Sequence, residues 1–434
     1  MGRLYGCCRR RPSRELALAQ ILVAGLAVPG SGLTRVLTAL AEDLVRRHTI
    51  NYFGLGEPLG LPTRLRGVPI YPCPFDVSNP STPQWFRDVL MLVKPELVFL
   101  MGQPAWLAPL LRALQPYRAW LRVVLYAPLE GRAANAAAIR PLPMVDDCIF
   151  YTEYARRSVQ SLAAELQKED ESFRLPALHV LPHGVDTQVF HPLPESRATI
   201  RQGLFPGRPE LHDAFIVLNA NVPYPRKRLD LTIRAFARFA QGKPGNVFLY
   251  LHLVRVDETV LRPLRECVRA AGVEDKVLFN LLNPAGETLS DAGLNLLYNA
   301  CDAGINTAMG EGWGLVNFEH AATGACQVLP NHSTFVEHWS GAAELVEIAG
   351  KEYFFHEHTD MYVVSPEDAS RKLERLYADP QHRHALSEAA RARAGSDAYR
   401  WSAIGKRLDE ILSRSLSGGR DSVAPIHGPQ NVSR

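Results

Sequence analysis

An α/β architecture of two doubly wound halves is what this sequence predicts, on three observations. Short unbroken apolar runs recur at spacings that leave room for crossover helices. A glycine-containing turn follows the first of them, and the whole pattern restarts near residue 215. At 434 residues the chain also exceeds what one hydrophobic core ordinarily serves.

The first run, Ile21 to Val28, is continuous, as a strand buried on both faces should be. Pro29-Gly30-Ser31-Gly32 ends it, and Leu33, Val36, Leu37, Leu40 and Leu44 then recur at helical spacing as far as His48. Strand, glycine turn and helix form the opening unit of a doubly wound sheet. Further strands are expected at 97–101, 123–127, 148–152 and 178–181, so that a parallel sheet is the economical reading. His191 to Arg197, proline-containing and polar, reads as a linker.

The second half restarts with Phe215–Asn219 and a helix presenting Leu229, Ile233, Phe236, Ala237 and Ala240 on one face. Strands follow at 247–254, 277–281, 303–306, 327–329 and 345–348. The expected domains are 1–195 on the acceptor side and 196–397 on the donor side. Trp401, Ile404, Leu408, Ile411 and Leu412 mark a last helix, within 398–414, whose apolar stripe is expected to return to the first domain. Residues 1–18 and 415–434 read as disordered.

Composition excludes more than it identifies. Charged residues make up 21% and the formal net charge is +3, so nothing calls for nucleic acid. Seven scattered cysteines, without a Cys-x-x-Cys pair, read as reduced thiols of a cytoplasmic protein. No apolar run reaches membrane-spanning length. Cys7 and Cys8 beside arginines allow at most a lipid-modified, peripheral contact, and Gly6 stands where a myristoylation signal needs Ser or Thr.

Three segments carry the chemistry. Gly310-Glu311-Gly312-Trp313-Gly314-Leu315-Val316 places alternating glycines before a helix, and free N–H groups at a helix start receive phosphate. A diphosphate is expected near Gly314, Leu315 and Val316, with Gly312 and Trp313 also in the donor site. Glu311 then accepts from sugar hydroxyls, and Glu319, about one turn into the helix, accepts from ribose hydroxyls. Arg226-Lys227-Arg228 follows the strand that ends near Asn219, where cations neutralise a departing diphosphate, with Asn221 close by. Leu181-Pro182-His183-Gly184-Val185-Asp186 is a sharp turn, with Gly184 free to take positive φ and His183 placed toward the cleft. A solvated basic turn, a glycine turn and a structural histidine are the bland readings of the same three segments.

In this order the segments resemble glycosyltransferase family 4 and its relatives, which have the GT-B fold of two Rossmann-like domains facing across a cleft. Glu311 and Glu319 match the family's Glu-x7-Glu. Gly184, Val185, Asp186, Phe190 and Pro192 match its Gly-Val-Asp…Phe-x-Pro, and Lys227 matches its basic motif. The resemblance implies retaining, metal-independent transfer from a nucleotide diphosphate sugar of the UDP or GDP type to a glycan, lipid-linked or small-molecule hydroxyl. It implies Glu311 on the donor sugar, Glu319 on ribose and Lys227 on the diphosphate, and no cofactor beyond the nucleotide sugar. An Asp-x-Asp that would bring a metal is absent from the sequence. Where the family usually has arginine five residues before the lysine, Val222 stands, and Arg226 or Arg228 is the candidate replacement.

On the first domain, Gly30, Ser31 and Gly32 are expected to border the cleft, with Gly32 near the donor, and Glu130 to face the acceptor. Base selection is expected near Asn280 to Asn283. The alternatives are a catalytically degenerate nucleotide-sugar-binding or scaffold protein of the same fold, and a dinucleotide-dependent dehydrogenase. The turn from Ala24 to Leu33 lacks a clean Gly-x-Gly-x-x-Gly, which disfavours the last.

Overall fold

The computed structural model describes residues 18–28, 30–56, 63–65, 67–74, 76–254, 256–284 and 288–418. The expectations for residues 1–17, with Cys7 and Cys8, and for 419–434 lie outside them.

Two largely parallel sheets form the frame. The first has eight strands, in spatial order Thr63–Leu65, Val68–Cys73, Thr49–Leu55, Gln20–Leu26, Leu97–Met101, Arg122–Ala127, Asp147–Phe150 and Ala177–Val180. Among the described residues, only Thr63–Leu65 pairs antiparallel within it. The second orders Val277–Phe279, Val247–Leu251, Phe215–Asn219, Ala303–Ile305, Cys326–Pro330 and Glu344–Val346, all parallel. Leu97–Met101 and Phe215–Asn219 are buried at every residue, which is why they read as unbroken apolar runs. In both sheets the chain reverses direction beside the first strand of that half, the switch point at which doubly wound sheets open a crevice.

The sequence reading missed several strands. Thr49–Leu55 and Val68–Cys73 extend the first sheet. The hairpin Ile348–Phe354 with Thr359–Val364 joins a two-residue strand, Arg132–Ala133, in a third, antiparallel sheet. That sheet takes strands from both halves and stitches them together.

Two further stitches lie away from it. The Glu337 carboxylate accepts from the Glu153 and Tyr154 N–H groups, at 3.0 and 2.8 Å, capping a first-half helix with a second-half side chain. The helix Trp401–Ser417 lies along the helix Gly32–Leu44, with Ile404, Leu408, Ile411 and Leu412 buried and His48 2.7 Å from Asp409. Burying each of those four side chains contributes about 1.5–3 kcal/mol. This helix runs to Ser417, so residues 415–417, expected to be disordered, are helical.

The linker is also less free than its composition suggests. Asn295 and Asn299 of the helix Asp291–Ala300 accept from the His191 and Leu193 N–H groups, which fixes it to the second half. Gly184 is required for a different reason from the one expected. Its φ is not positive, but a Cβ there would meet the Trp401 indole at 2.5 Å.

Candidate active site

The glycine loop and the basic turn come together where the carboxyl ends of the strands Phe215–Asn219 and Ala303–Ile305 meet. Gly314, at φ 91°, caps the helix Leu315–Ala322 and lets the loop turn into it. The Met309 N–H donates to the Arg226 carbonyl at 2.8 Å, tying the two segments by their backbones.

Within this frame the Lys227 ammonium donates to Glu311, and both side chains are nearly buried. Burial pushes the Lys227 pKa down, and the Glu311 carboxylate opposes that. Arg226 is held among carboxylates. Its Nη2 lies 3.0 Å from Glu130, its Nη1 2.9 Å from the Gly310 carbonyl and 3.8 Å from Glu311, and its Nε 3.9 Å from Glu357. Glu130, Glu311 and Glu357 together raise its pKa against burial, so it is a permanent cation here.

Glu319 is buried one helix face away. It accepts from Arg35 Nη1 at 2.9 Å and from the Tyr298 hydroxyl at 3.2 Å, while Arg35 Nη2 reaches Asp291 at 2.7 Å. Burial raises the Glu319 pKa, and the cation and the hydroxyl pull it back. A groove of about 460 Å³ opens beside this cluster, lined by Gly30, Ser31, Arg35, Leu315, Glu319 and Trp401 among others. Gly30, at φ 76°, approaches so closely that a Cβ would lie 2.5 Å from Thr288 Oγ1, and a Cβ on Gly32 would touch Leu315 at 3.3 Å. The first-domain glycine turn therefore lies against Thr288 and Leu315 of the second domain.

Five expected residues are placed differently. His183 is buried against Tyr151 and Trp313, its Nδ1 2.7 Å from the Tyr126 hydroxyl, and burial holds it neutral with a pKa pushed down to about 3. It belongs to the packed seam between the halves and does not reach the cleft. The Trp313 indole stacks on Phe318, ring centroids 4.6 Å apart and planes 9° from parallel, so its side chain is core and only its backbone borders the loop. Arg228, at φ 46°, pairs with Asp230 at 2.9 and 3.0 Å and turns away from Glu311. The Asn221 side chain donates to Asn219, closing the strand end. Glu130 is not an open loop carboxylate: it is clamped by Arg226 and by Gln103, at 2.5 Å. Near the expected base site, the Asn280 side chain is bonded to both polar groups of the Leu253 backbone.

The residues that sequence reasoning missed are Arg35, Tyr298, Asp291, Gln103 and Glu357. Each is a polar residue on a helix face or in a turn; Arg35 meets Glu319 and Asp291 only across the two halves, whereas Tyr298 meets Glu319 and Glu357 lies near Arg226 within the second half, and Gln103 meets Glu130 within the first. Among the described residues no group of three or more His, Cys, Asp or Glu side chains is placed to hold a metal ion, and no helix is long and apolar enough to cross a membrane.

The frame is the GT-B fold: two parallel α/β domains, a cleft between them, and a last helix that crosses back. Comparison with known proteins agrees. Solved structures of the same fold include Anabaena HepE in complex with UDP and glucose, with TM-score 0.68 at 15% identity, covering 91% of this chain and 99% of that one. Sucrose-phosphate synthase from Thermosynechococcus elongatus superposes with TM-score 0.67 at 16% identity, covering 92% and 99%.

The chain is also similar to glycosyltransferases in sequence. A family model described as glycosyl transferase-like matches residues 258–412. A GDP-mannose-dependent alpha-(1-6)-phosphatidylinositol monomannoside mannosyltransferase from Mycolicibacterium smegmatis is 29% identical over 241 residues, 55% of this chain and 56% of that protein. Mannosylfructose-phosphate synthase from Agrobacterium fabrum is 29% identical over 170 residues, 38% of this chain and 35% of that protein. The chain thus spans about half, or less, of the length of the curated relatives it matches.

Proposed function

We propose that the protein is a glycosyltransferase that moves a hexosyl group from a nucleoside diphosphate sugar, of the UDP or GDP type, to an acceptor hydroxyl. The observation that carries this reading is the meeting of Lys227, Arg226 and Glu311 with the open N-terminus of the helix Leu315–Ala322. The similarity to the mannosyltransferase and the synthase supports the same reaction class.

The donor diphosphate would lie on the N–H groups of Gly314, Leu315 and Val316, with the Lys227 ammonium turned from Glu311 onto it. Glu311, released, accepts from hydroxyls of the transferred sugar, and Glu319 accepts from the ribose. As the bond between the sugar C1 and the diphosphate oxygen breaks, the electron pair stays on that oxygen. Lys227, Arg226 and the helix N-terminus stabilise the growing charge in a site largely shielded from water. The acceptor hydroxyl forms the new bond from the same face, and its proton passes to the departing phosphate, which gives retention. Metal independence belongs to this proposal, and its support is that these cations and the helix end already supply positive charge. A cytoplasmic location belongs to it as well, supported by free thiols at Cys73, Cys148, Cys267, Cys301 and Cys326.

The second reading, a degenerate nucleotide-sugar-binding or scaffold protein, draws on two observations. Val222 stands in place of an arginine, and both key carboxylates are already occupied by internal cations.

Calorimetric titration with UDP, GDP, ADP and dTDP, on the parent and on Glu319→Ala, tests the donor site. One diphosphate is expected to bind and to weaken on losing the ribose carboxylate. Absence of binding by all four would overturn the transferase reading. Binding without hydrolysis of any matching nucleotide sugar would favour the degenerate one.

A further inference from the structure

At the seam the two neighbouring cations take their carboxylates from opposite halves. Lys227 donates to Glu311 within the second half. Arg226, one residue earlier, turns to the first half. Its Nη2 lies 3.0 Å from Glu130 Oε1, while its Nη1 stays 3.8 Å from Glu311 Oε1, beyond hydrogen-bond reach. All four side chains are nearly buried, so a guanidinium that lost its carboxylate would be driven to find another.

Glu130 is fixed for this contact from two sides. Gln103 Nε2 donates to its Oε2 at 2.5 Å, and its own backbone carbonyl accepts from the Glu311 N–H at 2.9 Å. The second bond sets Glu130 beside Glu311. The carboxylate that takes the arginine is thus placed by the very residue that has to stay clear of it.

The pairing matters because Glu311 has a second task. Once a diphosphate draws Lys227 away, Glu311 must accept from sugar hydroxyls. A carboxylate pinned in a bidentate arginine fork gives up the geometry and the lone pairs those hydroxyls need. An ammonium on a flexible stem leaves readily, whereas a planar guanidinium fork holds on. Resting on the transferase reading above, we infer that Glu130 is a positioning residue for recognition of the transferred sugar: from the first domain it holds Arg226 away from Glu311 and keeps that carboxylate available. Glu357 Oε1, 3.9 Å from Arg226 Nε, is the other carboxylate the guanidinium faces, and at that distance no hydrogen bond holds it there. Sugar recognition then depends on the closed pair of domains, since Glu130 and Glu311 come from different halves.

The test uses the full chain, with affinities for UDP and UDP-glucose, and for GDP and GDP-mannose, measured by calorimetry. The quantity compared is the ratio between each nucleotide sugar and its diphosphate, which isolates what the sugar adds. Glu130→Ala is expected to bind the diphosphates within about threefold of the parent but to lose about tenfold in the ratio, the scale of one charge-assisted hydrogen bond. Adding Arg226→Met to Glu130→Ala removes the freed cation and is expected to bring the ratio back to within about threefold of the parent, although turnover stays impaired. Glu130→Gln keeps an oxygen for Arg226 and is expected to stay within about threefold of the parent as well. A merely structural role would weaken diphosphate and nucleotide sugar together, and a second loss would not rescue it. A ratio that Glu130→Ala leaves unchanged, a double variant as poor as Glu130→Ala, or a glutamine variant that loses tenfold overturns the inference.

A second readout needs no nucleotide. In a crystal structure of Glu130→Ala, the Arg226 guanidinium is expected to close from 3.8 Å to about 3 Å from Glu311. A guanidinium that keeps its distance, or that moves to Glu357 instead, overturns the inference. If the parent binds no diphosphate, the transferase reading fails, while the position of Arg226 still decides what Glu130 does.

Discussion

Replacing Gly310 by alanine adds one methyl group at the seam between the halves. Its Cβ would stand 2.6 Å from the Glu130 carbonyl oxygen and 3.2 Å from Met361 Sδ. Ordinary contact begins near 3.4 Å, so roughly 0.8 Å must be found against backbone, which gives less readily than a side-chain tip. Gly310 has no positive φ, so alanine carries no conformational penalty and steric strain alone is tested. Overpacking costs about 1–3 kcal/mol. Spreading the seam also weakens the bond from the Glu311 N–H to the Glu130 carbonyl, now 2.9 Å, for about another 1 kcal/mol. Against this, alanine restricts the unfolded chain and returns about 0.4–1 kcal/mol. The steric terms win, and a net loss of about 1–3 kcal/mol is expected in urea unfolding. Because the same seam sets Glu311 against Arg226, kcat/KM of a donor-hydrolysis assay should fall about 10- to 100-fold. Gly203→Ala is the control. Its Cβ meets nothing within 4 Å in the helix Arg197–Leu204, and it should stabilise by up to about 1 kcal/mol. A Gly310→Ala protein as stable and as active as its parent would refute the reasoning.

Three other outcomes follow from the same geometry. Arg35→Met should tighten diphosphate binding about 5- to 30-fold, because Arg35, whose side chain is about one-third exposed, occupies the carboxylate that ribose needs. Weaker binding by calorimetry would instead make Arg35 a phosphate ligand. Burial depresses the pKa of His183, His320 and His338 to about 3 and of His252 and His332 to about 4, from an ordinary 6.5. The unfolded chain thus binds protons that the native one refuses, so this stability is complete above 6.5 and lost as pH falls toward 4. Each histidine costs about 1.4 kcal/mol per pH unit in that window, and a urea midpoint flat from pH 7 to pH 5 would contradict it. Leu408→Ala, at a fully buried position of the last helix, should cost about 2–5 kcal/mol in urea unfolding, and a loss below about 1 kcal/mol would show that the helix is not anchored there.

Much of the frame could be read because its central strands are buried on both faces, so Leu97–Met101 and Phe215–Asn219 leave uninterrupted apolar runs. The hairpin Ile348–Phe354 is largely exposed and carries Lys351 and Glu352, a composition that competes with any loop. Thr49–Leu55 hides behind Asn51 and Gly54, which break its run. At the site, glycines and charges cluster along the chain around Glu311 and Lys227, and that local density is visible. Arg35, Glu357 and Gln103 lie far from those motifs in sequence, and only the folded chain brings them near. His183 and Trp313 were misplaced for the converse reason. They neighbour the motif residues in sequence, yet aromatic packing draws them inward, and burial is a property of the fold.

The helix Trp401–Ser417 also bears on the order of folding. His48 and Asp409, 2.7 Å apart, are separated by 361 residues of chain. Local strands and crossovers of the first half can pair early, since their loops are short, but the groove along Gly32–Leu44 stays uncovered until the distant helix has been synthesised and has docked. Until then the first half exposes an apolar trough to solvent and to other chains. Slow acquisition of the native state, and chaperone dependence of any version cut before residue 401, are the kinetic counterpart of an architecture that closes its first half with its last helix.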